Sequence, residues 1–258
     1  MAKLDNSSDE FRKRIEKAAS LILSSKHFVC FTGAGISTES GIPDYRGPDG
    51  VWTRKDKGLP PPVWKVPPDK VKPNRGHYAL VELQNRGILK FLISQNVDNL
   101  HLRSGIKPEL IAEFHGNSQL FRCLSCDRSF PKDEVWDENK WGDGYRTSPV
   151  REGQPVCPSC GGRIISSVVN FGDPIWPKEL RLSEYHSSNA DVYMVVGSSL
   201  TVTPAANMPL LSLEKGGQLI IINRSETPLD RWCKVRFFES AGEVLEEIVK
   251  EITNRQRS

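Results

Sequence analysis

Apolar residues at Phe11, Ile15, Ala18 and Ile22 fall at helical spacing, and the polar run Asn6-Ser7-Ser8 ahead of them reads as a cap. A short apolar run, 27–31, follows and breaks at Thr32-Gly33-Ala34-Gly35, which predicts a strand, a glycine turn and the start of a helix. Asn74 is placed to cap a helix running to about Arg86, ended by Gly87. The stretches 88–94, 164–169, 192–196, 219–222 and 235–238 read as short buried strands. The last helix opens with Ser240 and Glu243 at capping-box spacing, and Val244, Leu245, Ile248, Val249 and Ile252 give it one apolar face. No repeat of fixed period occurs. Short apolar strands alternating with helical stretches predict an α/β fold, a Rossmann-like parallel sheet covered by helices on both faces.

Two segments depart from this rhythm. Six of the eighteen prolines lie between Pro60 and Pro73, where a missing N–H donor and a fixed φ exclude regular helix and central strand. Residues 44–73 are therefore expected to be a helical or loop insertion. Residues 119–163 have few apolar runs, four cysteines and the loop-like Trp141-Gly142-Asp143-Gly144, and are expected to form a small separate unit. The large sheet is assigned 1–43, 74–118 and 164–258.

Length and charge narrow the picture. The chain of 258 residues is 38% hydrophobic, enough for a real core without disulfides. No apolar run is long enough to span a bilayer, and the N-terminus carries charges where a signal peptide needs an apolar stretch, so a cytoplasmic protein is expected, or a nuclear one in a eukaryote. Thirty-five basic against thirty-two acidic residues leave +3, too mild to point to nucleic acid.

Cysteine spacing carries the first chemistry. Cys123-Leu-Ser-Cys126 and Cys157-Pro-Ser-Cys160 are two Cys-x-x-Cys pairs thirty residues apart. Each pair points both thiolates at one ion, and two pairs complete a tetrahedron with no open position, which is a structural zinc site. Gly161 and Gly162 follow the second pair, where a tight knuckle needs unusual φ. Two redox or structural thiol pairs are the bland alternative. The turn Gly33-Ala34-Gly35 sits where backbone N–H groups bind a pyrophosphate, yet the dinucleotide fingerprint is incomplete: Thr38 holds the third glycine position.

A longer set of segments is more specific. The run 33–47 (GAGISTESGIPDYRG), Gln95-Asn96-Val97-Asp98, Phe114-His115-Gly116-Asn117, the four cysteines, Val169-Asn170-Phe171-Gly172-Asp173 and Gly197-Ser198-Ser199-Leu200 resemble, in order, the signature of the sirtuins, NAD-dependent protein lysine deacylases. The resemblance implies NAD as cofactor, one structural zinc in a zinc-ribbon domain, and acylated-lysine proteins or peptides as partners. It implies that Gly33, Ala34, Gly35, Thr38, Tyr45 and Arg46 lie near NAD, that Asn96 and Asp98 grip the nicotinamide end with Gln95 and Val97 beside them, and that Gly197, Ser198, Ser199, Asn223 and Ala241 hold the adenosine half. His115 would be the general base, Asn96 its companion in catalysis, and Val169, Asn170, Phe171 and Gly172 an edge that pairs with the substrate peptide. Of five histidines, only His115 is lifted by its motif; His101 is expected to be packing.

Asn170 and Asp173 stand where the family more often shows an apolar residue and Glu, and 44–73 lacks the Tyr-x-x-Arg pair of relatives that prefer acidic acyl groups. Deacetylation, or removal of another neutral acyl group, is therefore expected. Mono-ADP-ribosyl transfer to protein and a non-catalytic zinc-ribbon module that senses NAD remain alternatives.

Overall fold

The computed structural model describes residues 2–257, with side chains from residue 9 onward. Helix α1 (Ala2–Ser24) leads into β1 (Phe28–Thr32), then a 3-10 helix over Ala34–Ser40 and α2 (Val51–Asp56). Next come α3 (Arg75–Asn85), β2 (Leu89–Ser94), α4 (Leu100–Ser104) and β3 (Ile111–Glu113). A small unit follows: β4 (Leu120–Cys123), β5 (Ser129–Pro131), α5 (Lys132–Val135), α6 (Glu138–Trp141) and β6 (Ile164–Ser166). The chain ends with α7 (Pro177–Asn189), β7 (Val192–Val196), α8 (Met208–Glu214), β8 (Gln218–Ile222), β9 (Cys233–Phe237) and α9 (Ala241–Arg257).

Six strands form a parallel sheet in the order β3-β2-β1-β7-β8-β9. Every residue of β1 and β7 is buried, as a sheet covered on both faces requires. Side chains alternate: Phe28 and Cys30 of β1 face a core with α1, α3 and α9, and Val29 and Phe31 face the other with α7 and α8. Among the described residues, no helix is long and apolar enough to cross a membrane.

Several boundaries differ from the sequence reading. Helix α1 runs through 6–8 rather than starting after them, because nothing in Ala2–Ser8 breaks a helix; the side chains of that run lie outside the described residues. Ser240 does not act in a capping box. Its hydroxyl donates to Glu39, whose carboxylate also accepts the Gly242 N–H at 3.0 Å, so the acid at the head of α9 comes from a distant segment. Asn74 does cap α3, with His77 Nδ1 accepting the Asn74 N–H in return. In 44–73 the structure places one short helix, α2, and a single 3-10 turn at Pro68–Lys70; the prolines 60–62 lie in neither helix nor strand.

The largest difference concerns 164–169. Ile164–Ser166 is not a strand of the large sheet but pairs antiparallel with β4, giving the small sheet the order β5-β4-β6. A three-residue apolar run carries no signal of which sheet it joins. Phe121, Trp136, Cys123, Cys157 and Ile164 form this unit's own core, with the Phe121 and Trp136 rings stacked 4.6 Å apart.

Candidate active site

In the large sheet β1 leads to β2 and β3 on one side, and β7 to β8 and β9 on the other, so a crevice opens at the C-terminal ends of β1 and β7. Two glycine loops floor it. Gly35 N–H donates to Gly197 O at 2.8 Å and Gly33 N–H to Val196 O at 2.9 Å. A Cβ on Gly35 would sit 2.6 Å from Gly197 Cα, and one on Gly197 (φ +64°) 2.4 Å from the Ile36 nitrogen. These glycines are needed for backbone packing between the two loops, and two of the N–H groups that the turn reading offers to an anion are already spent inside the protein.

Past β2, Gln95-Asn96-Val97-Asp98 turns into the same crevice. Gln95 Nε2 donates to Ser198 Oγ at 2.7 Å, bridging the β2 and β7 loops. Asn96 Nδ2 donates to Ser37 Oγ at 3.2 Å, and that hydroxyl donates to Asp98 Oδ2 at 2.7 Å. Burial pushes the Asp98 carboxyl above its ordinary range. The segment after β3 carries His115, whose Nδ1 donates to Gln95 O at 3.1 Å. A carbonyl only accepts, so this bond puts the proton on Nδ1 and leaves Nε2 as the acceptor. Burial lowers the imidazole pKa below its ordinary value, so the ring is neutral at pH 7.

Gly116 lets the backbone pass close to Ser167: φ is +82°, and a Cβ would lie 2.0 Å from Ser167 O. The segment 168–172 is not a sheet strand. Val169 N–H donates to His115 O at 2.9 Å, and Asn170 and Asp173 close a turn on each other that displays Phe171, 82% exposed, on the rim. The two residues that depart from the sirtuin pattern are the ones that close this turn.

These loops bound one cleft of about 540 Å³. All the non-metal residues proposed from sequence line it, from Gly33, Ala34, Thr38, Tyr45 and Arg46 to Ser199, Asn223 and Ala241. Sequence reasoning missed others: Ile42, Pro43, Trp52, Trp64, Arg224 and Glu239. Trp52 and Trp64 were legible as apolar rings in an irregular, proline-rich stretch. Glu239 was not: it follows β9 without a motif and is held by two bonds from Arg14, at 2.6 and 3.1 Å.

Among the described residues one group of metal-ligating type occurs, Cys123, Cys126, Cys157 and Cys160, with all four Sγ atoms within 4.8 Å of one another. Cys123 and Cys160 Sγ lie 3.5 Å apart, and Cys126 and Cys157 Sγ 3.6 Å. Zn–S bonds of about 2.3 Å in a tetrahedron require S–S edges of about 3.8 Å, so the donor set and spacing fit zinc. Each knuckle ends in a left-handed residue, Asp127 (φ 62°) and Gly161 (φ 71°). Gly162 is needed for closeness rather than φ, since a Cβ there would lie 2.8 Å from Cys123 Sγ.

The Sir2 family model matches residues 33–60 and 63–204. The chain belongs to the Sir2 family. It is 42% identical over 238 residues to the NAD-dependent protein deacetylase SRT1 of Arabidopsis thaliana, covering 91% of this chain but 48% of that protein, so it spans about half the plant relative's length. It is 37% identical over 262 residues to the NAD-dependent protein deacetylase of Thermodesulfovibrio yellowstonii, covering 95% and 98% of the two chains. A solved Sir2 structure with a p53 peptide and NAD+ superposes with a TM-score of 0.69 at 32% identity, covering 91% of this chain and 97% of that one.

Behind the cleft floor this sirtuin buries two neutral histidines. Thr32 Oγ1 and His101 Nε2 are 2.8 Å apart, and the His101 and His77 rings lie 5.0 Å apart. His101 is packing, as expected. Burial pushes His77 down to about 4 and His101 well below 6.5. A depressed base binds its proton less readily when folded, so stability holds above pH 6.5 and drains away as pH falls toward 4. Glu113, pushed up to about 7 by burial, works in the opposite sense, so a variant comparison isolates the histidine. His77→Gln should flatten the fall of the melting temperature between pH 7 and 5; an unchanged slope contradicts this.

Proposed function

We propose that this chain removes neutral acyl groups from lysine side chains with NAD as co-substrate, giving nicotinamide and O-acyl-ADP-ribose. The observation that carries the reading is His115: a neutral imidazole with Nδ1 committed to Gln95 O and Nε2 uncommitted, in the cleft that also holds Asn96 and Asp98.

NAD supplies, when bound, a nicotinamide–ribose bond whose cleavage leaves the ribose carbon open to attack by an acyl oxygen. The residues present fit it. Asn96 and Asp98 offer an amide and a carboxyl at the strand ends, suited to a carboxamide and a ribose. Arg46 is exposed on the rim, where its guanidinium suits a diphosphate. Ser198, Ser199 and Asn223 stand on the β7–β8 side for the adenosine half, and the Asn223 loop is held by its own Nδ2 bond to Ser225 O at 2.8 Å. His115 Nε2 takes a proton from a ribose hydroxyl, and the Gln95 carbonyl stabilises the imidazolium that results. Val169–Gly172 flank the acyl-lysine entrance, and Ile42, Pro43, Trp52 and Trp64 give the cleft an apolar side suited to an uncharged acyl group.

Mass spectrometry of a reaction with NAD and an acetylated peptide tests this. O-acetyl-ADP-ribose and nicotinamide are expected; ADP-ribosylated protein in their place overturns the reaction. In a panel of acetyl, succinyl and long-chain acyl peptides, a large preference for succinyl overturns the neutral-acyl assignment.

A further inference from the structure

A closed circuit of polar contacts brackets the segment that carries His115. Arg122 directly precedes the metal-site residue Cys123, and its side chain is 6% exposed. Nη1 pairs with Glu179 Oε1 on α7 at 3.0 Å, and Nη2 donates to Asp127 Oδ2 in the first knuckle at 3.1 Å. The other oxygen of Glu179 accepts the Glu113 N–H at 3.1 Å, two residues before the histidine. Two residues after it, Asn117 donates from Nδ2 to Glu113 Oε1 at 2.6 Å and exchanges two bonds with Ser167 Oγ, at 3.0 and 2.8 Å. Trp176 closes the ring: Nε1 donates to Ser167 O at 2.7 Å, and the Arg122 guanidinium lies over its face at 4.9 Å.

Burying a guanidinium and two carboxylates costs desolvation that a well-packed apolar group avoids. A fork that holds two partners at once does something apolar packing does not: it fixes the distance between the knuckle and α7. The Glu113–Asn117 segment hangs from that span at both ends, and His115 is its midpoint.

We propose that Arg122 is a positioning residue for His115, transmitting the geometry of the thiolate knuckle through Glu179 to the segment that aims Nε2 into the cleft. The proposal rests on the reading of His115 as the base. Arg122→Lys keeps the charge but holds one partner only. It should lower kcat about ten- to a hundredfold, the scale of a misplaced catalytic group, with KM for NAD and acyl-peptide within about twofold. NMR titration of the His115 ring should move up toward 6.5 as the ring loses its buried seat. The paired variant Arg122→Met with Glu179→Gln removes the more buried ion pair together and leaves Asp127, whose side chain is 34% exposed, to solvent. It should keep the metal and the melting temperature while kcat stays low.

Wild-type kcat and an unchanged His115 titration in either variant would show that Arg122 only balances buried charge, and overturn the proposal. Loss of metal or of the folded state in both variants would assign Arg122 to the frame alone and overturn it equally. An inactive wild-type protein defeats the activity reading instead, and the NMR comparison still decides the positioning.

Discussion

His115→Ala is expected to slow deacylation about 10²- to 10⁴-fold, the range for loss of a general base, while the melting temperature barely moves. The ring makes one hydrogen bond inside the protein, from Nδ1 to Gln95 O, so truncation leaves one carbonyl facing a wet cleft. That costs on the order of 1 kcal/mol or less. Catalysis loses the only imidazole that lines the cleft among the described residues. The pH profile of the unmodified protein gives the same residue a second signature. Because burial lowers its pKa, the neutral base persists into mild acid, and the acid limb of kcat/KM should lie below pH 6.5. Steady-state rates beside circular-dichroism melts check both expectations. Normal turnover by the alanine variant removes His115 from the mechanism.

The second large effect is expected at the thiolates. Cys123→Ala should release the metal and lose soluble protein, and Cys157→Ala should match it. Both side chains are buried, and both belong to the core that Phe121, Trp136 and Ile164 form around them. That core is too small to hold three short strands alone. Structural zinc contributes an apparent 10 kcal/mol or more, roughly, in small zinc modules, so the module's order is metal binding energy. Four thiolates fill the coordination shell, so the ion would take no part in the chemistry. Metal analysis and soluble yield read the outcome. A stable, metal-free, active variant contradicts it.

The parts of the fold and site legible in sequence were those where one residue type answers one local demand. Alternating apolar strands and helices gave the parallel sheet, and the paired Cys-x-x-Cys spacing gave the metal cluster, because both patterns are local. Asn74 before α3 was readable for the same reason. The capping of α9 was not: Glu39 reaches Gly242 across about two hundred residues, and no window contains both. The same holds for Glu239, whose carboxylate at the cleft is clamped by Arg14 from the far end of the chain, and for Ile164–Ser166, whose partner strand was chosen by tertiary pairing. Gly33 and Gly35 were recognised as special and line the cleft; that they also pack against the loop after β7 is a demand no local window shows.

The contact between the loops after β1 and β7 leaves no room for even a methyl group. Diversification of substrate range within this scaffold therefore falls to the outer wall, where Trp52, Trp64 and Phe171 can be exchanged without disturbing the base of the pocket. Saturation libraries should yield altered acyl preference from those rings and dead protein from the glycines.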